Sequence, residues 1–173
     1  MLKLKKIENC TSIIVEFDPY IAINVIFGDN SYWIERTAYW RTGNFINELI
    51  EIGIGNELGI IREITLVGIK NISNHSIELQ EIILQHGIPV FEKINYNKNL
   101  IFDENGPLEM FVGNDKVQVL FSHNKITSGL VCDRVICLFD KDNNFCGFEV
   151  ADVTDAEMSI LKENFIDGLN QNQ

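Results

Sequence analysis

The sequence predicts an α+β fold: a predominantly antiparallel, sandwich-like β-sheet of hairpins with about three amphipathic helices packed on it. Three observations carry that prediction. Short β-branched runs recur between clusters of Gly, Asn and Asp, three stretches carry apolar residues at helical spacing, and residues 134–166 read as strand, Asp/Asn turn, strand and capped helix. At 173 residues the chain suits a single domain spanning 1–173, or two sub-halves sharing a core and divided near 87–99. At this size roughly 70% of the unfolded surface can be buried.

Taken in order, residues 12–17 form a strand through Ile13, Ile14 and Val15, closed by the Asp18-Pro19 corner, where proline presets φ. Residues 21–27 and 32–37 flank Gly28-Asp29-Asn30-Ser31 as a hairpin, with Ile21, Ile23 and Val25 on one face. Four large aromatics, Tyr32, Trp33, Tyr39 and Trp40, fall within nine residues. In a strand Tyr32 and Trp33 face opposite ways, so one enters the core while the other covers an edge or meets a partner, and Arg36, Tyr39, Trp40 and Arg41 form a secondary interface candidate. Thr42 is placed to cap a first helix, with Phe45, Ile46, Leu49 and Ile50 as its stripe and Gly53 and Gly55 at its end.

Residues 60–69 are β-branched and lack a helical stripe, and read as a strand. A second helix is expected over 76–86, with Leu79, Ile82 and Ile83 on one side and Gly87 in the stop position. The Asn-rich residues 95–99 read as a loop, and 108–112 and 117–121 bracket Gly113-Asn114-Asp115-Lys116 as a hairpin. Residues 126–138 are strand-like but broken at Ser128-Gly129. The third helix starts in the capping box Thr154-x-x-Glu157 and buries Met158, Leu161 and Phe165.

Charge is the sharpest compositional fact. With 25 acidic against 14 basic residues the formal net charge is −11. A field of that sign disfavours nucleic acid and anionic membrane and steers a basic partner toward the protein. The N-terminal lysines are followed by a run broken at Glu8, Asn9 and Thr11, which is not a secretory leader. No run approaches the roughly 18 apolar residues of a membrane span. A cytoplasmic protein with reduced thiols is expected, in which Cys10, Cys132, Cys137 and Cys146 act as small buried hydrophobes. They form no Cys-x-x-Cys pair, so structural zinc is not expected.

The known catalytic and ligand motifs are each excluded by particular residues. His75, His86 and His123 lack metal-ligand spacing. The segment from Asp140 to Asn144 begins like a calcium loop, but its sixth position is Phe145 and its twelfth Ala151, where Gly and Glu are required. The glycines at 53, 55 and 59 precede no Lys-Ser/Thr and follow a predicted helix, so neither a P-loop nor a dinucleotide fingerprint fits. No cofactor and no catalytic residue is assigned, and a binding role is expected in preference to an enzymatic one.

Acidity concentrates toward the C-terminus, where residues 133–167 carry nine acidic residues against Arg134, Lys141 and Lys162. Its hairpin, residues 135–150, resembles one found in small bacterial domains of uncharacterised function, with apolar-Asp-turn-apolar-x-Gly-apolar-Glu. As a whole, the acidic, β-rich chain without catalytic motifs resembles the immunity proteins of bacterial polymorphic and contact-dependent toxin systems. That resemblance implies a cytoplasmic inhibitor that binds and neutralises a cognate basic toxin domain, such as a nuclease, with carboxylates standing in for phosphates. The expected contacts are Asp140, Asp142, Glu149, Asp152 and Glu157, with Tyr39 and Trp40 as hydrophobic anchors. The alternatives from other classes are a small-ligand-binding domain or enzyme, and a self-assembling protein that pairs through an exposed strand edge.

Overall fold

The structure, a computed structural model, describes residues 1–28, 35–79 and 81–166. Those residues form fifteen strands in three sheets and one short helix. Across the first, six-stranded sheet the order is β10 (Ile101–Asn105), β4 (Thr37–Gly43), β5 (Leu49–Gly55), β6 (Ile61–Gly68), β3 (Ile23–Phe27) and β2 (Ile13–Glu16). The seven-stranded sheet runs β7 (Asn71–Ser73), β11 (Glu109–Val112), β12 (Val117–Leu120), β15 (Phe145–Val150), β14 (Val135–Asp140), β13 (Ile126–Cys132) and β8 (Ile83–His86). A two-stranded sheet pairs β1 (Leu4–Glu8) with β9 (Ile88–Phe91) and touches both larger sheets through the bridges Lys3–Asn144 and Ile60–Val90. Pairing is antiparallel except at β10–β4, β11–β7 and β13–β8.

Alternation along each strand builds the core. In register across the six-stranded sheet, Phe102, Trp40, Ile52, Ile64, Val25 and Val15 line one face. Across the other sheet Met110, Val119, Phe148, Cys137 and Leu130 do the same. These residues belong to one apolar cluster, and an aromatic group at its centre joins the three sheets. The Phe145 ring lies 5.1–5.3 Å from those of Phe91, Phe121 and Phe139, and Phe121 lies 5.4 Å from Trp40. Burying each such ring stabilises the fold by about 1.5–3 kcal/mol before its neighbours' shape is counted.

The predicted α+β class with about three helices is corrected to a mostly-β architecture with one. Two of the expected helices are strands and turns. Thr42 lies inside β4, and residues 44–48 make a turn in which Asn44 Oδ1 accepts from the N–H groups of Ile46, Asn47 and Glu48. Phe45 has φ +57, outside the helical region. The stronger signal was the alternation that follows, which puts Ile50, Ile52 and Ile54 in the core of β5 and makes the expected stop glycines strand residues. Over 76–86 the helix fails for a related reason. Ile77 exchanges both backbone bonds with the Gln118 amide, Glu81 turns the chain at φ +56, and Ile83 to His86 pair with β13.

The third helix, α1 (Asp155–Leu161), starts at Thr154 with both bonds of the capping box formed, and continues as a π-helical turn over Lys162–Ile166. The β11/β12 and β14/β15 hairpins form as expected. The hairpin expected to join β3 to its successor does not: β3 pairs with β2 and β6, and β4 pairs with β10 and β5. Asp29, Asn30 and Ser31 of its turn, with Tyr32 and Trp33, lie outside the described residues.

The expectation of four free thiols is also corrected. Cys10, between β1 and β2, and Cys132, at the end of β13, form a disulfide with Cα atoms 5.5 Å apart. Cys137 and Cys146 are free and buried, and burial pushes both thiols up. Among the described residues no helix is long and apolar enough to cross a membrane.

Candidate functional site

The five C-terminal carboxylates expected to form a docking surface are distributed over different tasks. Asp140, at the end of β14, is 4% exposed. Its Oδ1 accepts from the Asp142 and Asn144 N–H groups, both at 2.9 Å, and its Oδ2 from the side-chain amides of Asn124 at 2.7 Å and Asn144 at 2.9 Å. Burial alone would raise its pKa, but the hydrogen bonds from Asn144, Asn124 and Asp142 outweigh it and hold the carboxyl below the ordinary range. Asp140 therefore shapes the turn, and Asn143 completes it at φ +63.

Glu149 lies on the buried outer side of β15, where its Oε2 accepts from Gln118 Nε2 at 2.7 Å and sits 4.0 Å from Lys116 Nζ. Glu157 forms a two-pronged pair with Arg134, at 2.7 and 3.0 Å, while also closing the helix cap. The Arg134 guanidinium, opposed by burial and aided by the Thr154 cap, holds the Glu157 carboxyl at about 2. Arg134 further donates to the Asp152 and Val15 carbonyls. Asp142 and Asp152 are exposed, the first bonded to Lys141 Nζ at 2.8 Å. The adjacent Tyr39 and Trp40 are separated by the strand pleat. Trp40 is 2% exposed in the core with its Nε1 donating to Glu104 Oε2 at 2.9 Å, whereas Tyr39 lies on the opposite side of β4.

That opposite side, the outer face of the six-stranded sheet, holds a more extended polar array. Strand register sets Asp103, Arg41, Glu51, Thr65, Asn24 and Glu16 in one row across all six strands. Arg41 binds Asp103 through two parallel bonds of 2.7 and 2.9 Å and reaches Glu51 at 3.4 Å. Farther along, the Thr65 hydroxyl donates to Asn24 Oδ1 at 3.1 Å, and Asn24 Nδ2 donates to Glu16 Oε2 at 3.3 Å. The fork geometry and mutual charge hold Asp103 below and Arg41 above their ordinary pKa ranges, hydrogen bonding being the largest cause in both.

In the neighbouring row Tyr39, Gly53 and Glu63 are in register, and the Tyr39 hydroxyl donates to Glu63 Oε1 at 2.9 Å. Gly53 makes that contact possible. A Cβ at this position would lie 2.6 Å from Glu63 Cγ and 3.1 Å from Thr37 Cγ2. Burial, then the bond to Glu63 and the charges of Glu63 and Glu51, push the Tyr39 phenol up to about 12 against the opposing pull of Arg62. Around these rows Ile14 is 52% and Val67 38% exposed, so this face of the sheet meets solvent. The carboxylates of Glu16, Glu51, Glu63 and Asp103 share this face with the guanidinium of Arg41, and Arg62, paired with Glu35 at 3.5 Å, reaches it at Thr37 Oγ1.

Sequence reasoning singled out Tyr39 and Arg41 on this face and missed the rest. The signal was present as polar alternation along strands, Thr37-Tyr39-Arg41 and Glu63-Thr65, but long-range register was needed to make it one surface. Among the described residues no group of three or more His, Cys, Asp or Glu is placed to hold a metal ion. A cavity of about 540 Å³ opens beside the β1–β2 connection, with Phe27, Leu58, Ile60, Ile61 and Ile88 as apolar walls. Arg62, buried, also lines it, donating to the Glu35 carbonyl at 2.9 Å and Thr37 Oγ1 at 2.8 Å. The sequence matches no protein-family model and no curated protein.

Proposed function

We propose that the chain is a binding protein of the immunity type, which captures a basic protein domain on the outer face of its six-stranded sheet. The observation that supports this reading is the cross-strand row from Asp103 to Glu16, continued by Tyr39 and Glu63, in which the carboxylates of Glu16, Glu51, Glu63 and Asp103 outnumber the guanidinium groups of Arg41 and Arg62 on a half-exposed face. A hydrogen-bonded sheet holds these groups at fixed spacing, so a partner's cations meet a preorganised array and little side-chain ordering remains to be done on binding. The charge of −11 extends the attraction beyond contact range and speeds encounter. A basic toxin domain, for instance a nuclease, suits this surface, because carboxylates on the sheet take the place of phosphates.

Affinity capture from the native cell tests the proposal. The tagged chain is expected to retain a basic protein, and Glu16→Lys with Glu51→Lys to lose it. Retention by that double variant together with loss by Asp142→Lys with Asp152→Lys would move the docking surface to the C-terminal unit. Cytoplasmic location belongs to the same proposal. Disulfides persist poorly in reducing compartments, so the state of Cys10 and Cys132 in freshly alkylated cells bears on it directly.

A second reading is favoured by the 540 Å³ cavity, whose size and apolar walls suit a small ligand. Native mass spectrometry of the purified chain distinguishes the two: a retained small molecule supports the ligand reading.

A further inference from the structure

We infer that the cavity beside the β1–β2 connection takes an uncharged apolar molecule carrying one hydroxyl or carbonyl group, its apolar body on the inner walls and its polar group at the mouth. This rests on the small-ligand reading of the cavity and names the ligand's class. The cavity measures about 540 Å³, within the range of small-molecule sites. Phe27, Ile61 and Ile88 are buried and make its inner walls, whereas Asn9, Thr11 and Leu58 are exposed and stand at its mouth.

The walls are tied in place from three sides. Cys10, between Asn9 and Thr11, is bonded to Cys132 at the end of β13. The Glu35 carboxylate accepts from the N–H groups of Glu57 and Leu58, which fixes the turn between β5 and β6. Ile60 bridges to Val90 in β9, the strand that carries Ile88, and β9 pairs in turn with β1 as far as Glu8. These ties keep the walls from closing inward. The site is preformed, and little ordering opposes binding.

Charge at the lining sets the ligand's class, because each ionic side chain there already has an ion partner. Arg62 and Glu35 pair at 3.5 Å, and Arg62 also donates to the Glu35 carbonyl and to Thr37. Glu57 pairs with Lys93 at 3.5 Å, and Glu8 pairs with Lys6. A carboxylate ligand would meet Glu8 and Glu57 within the field of a chain of charge −11. An ammonium would have to displace Lys6 or Lys93, exchanging one ion pair for another while losing its own hydration. A hydroxyl or carbonyl meets neither obstacle. The Asn9 amide and the Thr11 hydroxyl each hold both a donor and an acceptor, and suit such a group at the mouth.

Displacement of the uncharged dye Nile red from the purified chain at pH 7 by 1-decanol, decanoate and decylammonium tests the inference with one tail and three heads. The alcohol should compete saturably, one molecule per chain, and at least tenfold more tightly than either ion. Leu58→Asp, which sets a charge on the wall, should weaken decanol at least tenfold. Leu84→Asp, on the exposed strand β8 outside the cavity, should bind as the native chain does. Circular dichroism and an unchanged unfolding midpoint establish that the variants are folded. An ion that binds as tightly as the alcohol overturns the assigned class while leaving a small-ligand site. Saturable binding by none of the three removes the class and the site together. Native affinity in Leu58→Asp, or an equal loss in Leu84→Asp, places the bound molecule elsewhere and overturns the inference.

Discussion

Tyr39 and Glu63 meet across Gly53, the phenolic hydroxyl donating to Oε1 at 2.9 Å over a residue of the intervening strand that has no side chain. The contact ties β4 to β6 over β5 and fixes a carboxylate on the outer face of the sheet. Removing the space breaks it. Gly53→Ala is expected to displace Glu63, release Tyr39 and destabilise the fold by about 1–3 kcal/mol through overpacking, read as a lower denaturation midpoint.

The same pair gives an alkaline signature. The Tyr39 phenol is raised to about 12 by burial and by Glu63. Folding thus favours its neutral form, and the associated stability is complete below the unfolded phenol's pKa near 10 and is lost as pH rises through about 12. Ultraviolet phenolate titration of Glu63→Gln should show one tyrosine ionising at lower pH than in the native chain, with Tyr96, raised by burial alone, unmoved.

Arg134 and Glu157 set the acid limit. With the Glu157 carboxyl held at about 2 against an ordinary value of 4.5, the stabilisation is present above pH 4.5 and is lost as pH falls toward 2. Arg134→Ala removes a charge-assisted pair of bonds and should lower stability by about 1.5–3 kcal/mol at neutral pH. The loss relative to the native chain should shrink as the pH approaches 2, in denaturant titrations at matched pH.

Asp140→Ala leaves the N–H groups of Asp142 and Asn144 and the amide of Asn124 without their acceptor. It should cost about 1–3 kcal/mol or more. Asp142→Ala, in the same turn and exposed, should change stability by less than about 0.5 kcal/mol. Equal effects of the two substitutions would contradict a structural role for Asp140.

Thiol counting tests the disulfide. In denaturant without reductant two cysteines, Cys137 and Cys146, should react, and four after reduction. The bridge spans 122 residues of sequence. Its reduction should destabilise the chain by about 2–5 kcal/mol.

The sequence was most legible where local signals agreed. In the β14/β15 hairpin and α1, alternation, an Asp-led turn and a capping box all specified the structure that forms. It was least legible where a helical stripe overlapped a strand. Leu49 and Ile50 fit spacing of either kind, and the choice was made by Asn44 capping a turn and by pairing with β4 and β6 from distant parts of the chain. The region over 76–86 was decided by the Gln118 amide, 41 residues from Ile77. For the candidate site, acidity along the chain located the densest charge but could not tell a carboxylate that faces solvent from one, like Asp140 or Glu149, that satisfies buried donors. The row from Asp103 to Glu16 spans residues 16 to 103 and exists only once six strands are in register.

The most direct test of the acidic sheet face is the association rate of the basic protein captured by the native chain, measured by stopped-flow at two ionic strengths. Glu16→Lys combined with Glu51→Lys is predicted to slow association at least tenfold at low salt and to flatten its salt dependence, with the unfolding midpoint nearly unchanged. An association rate and salt dependence equal to those of the native chain would contradict the account.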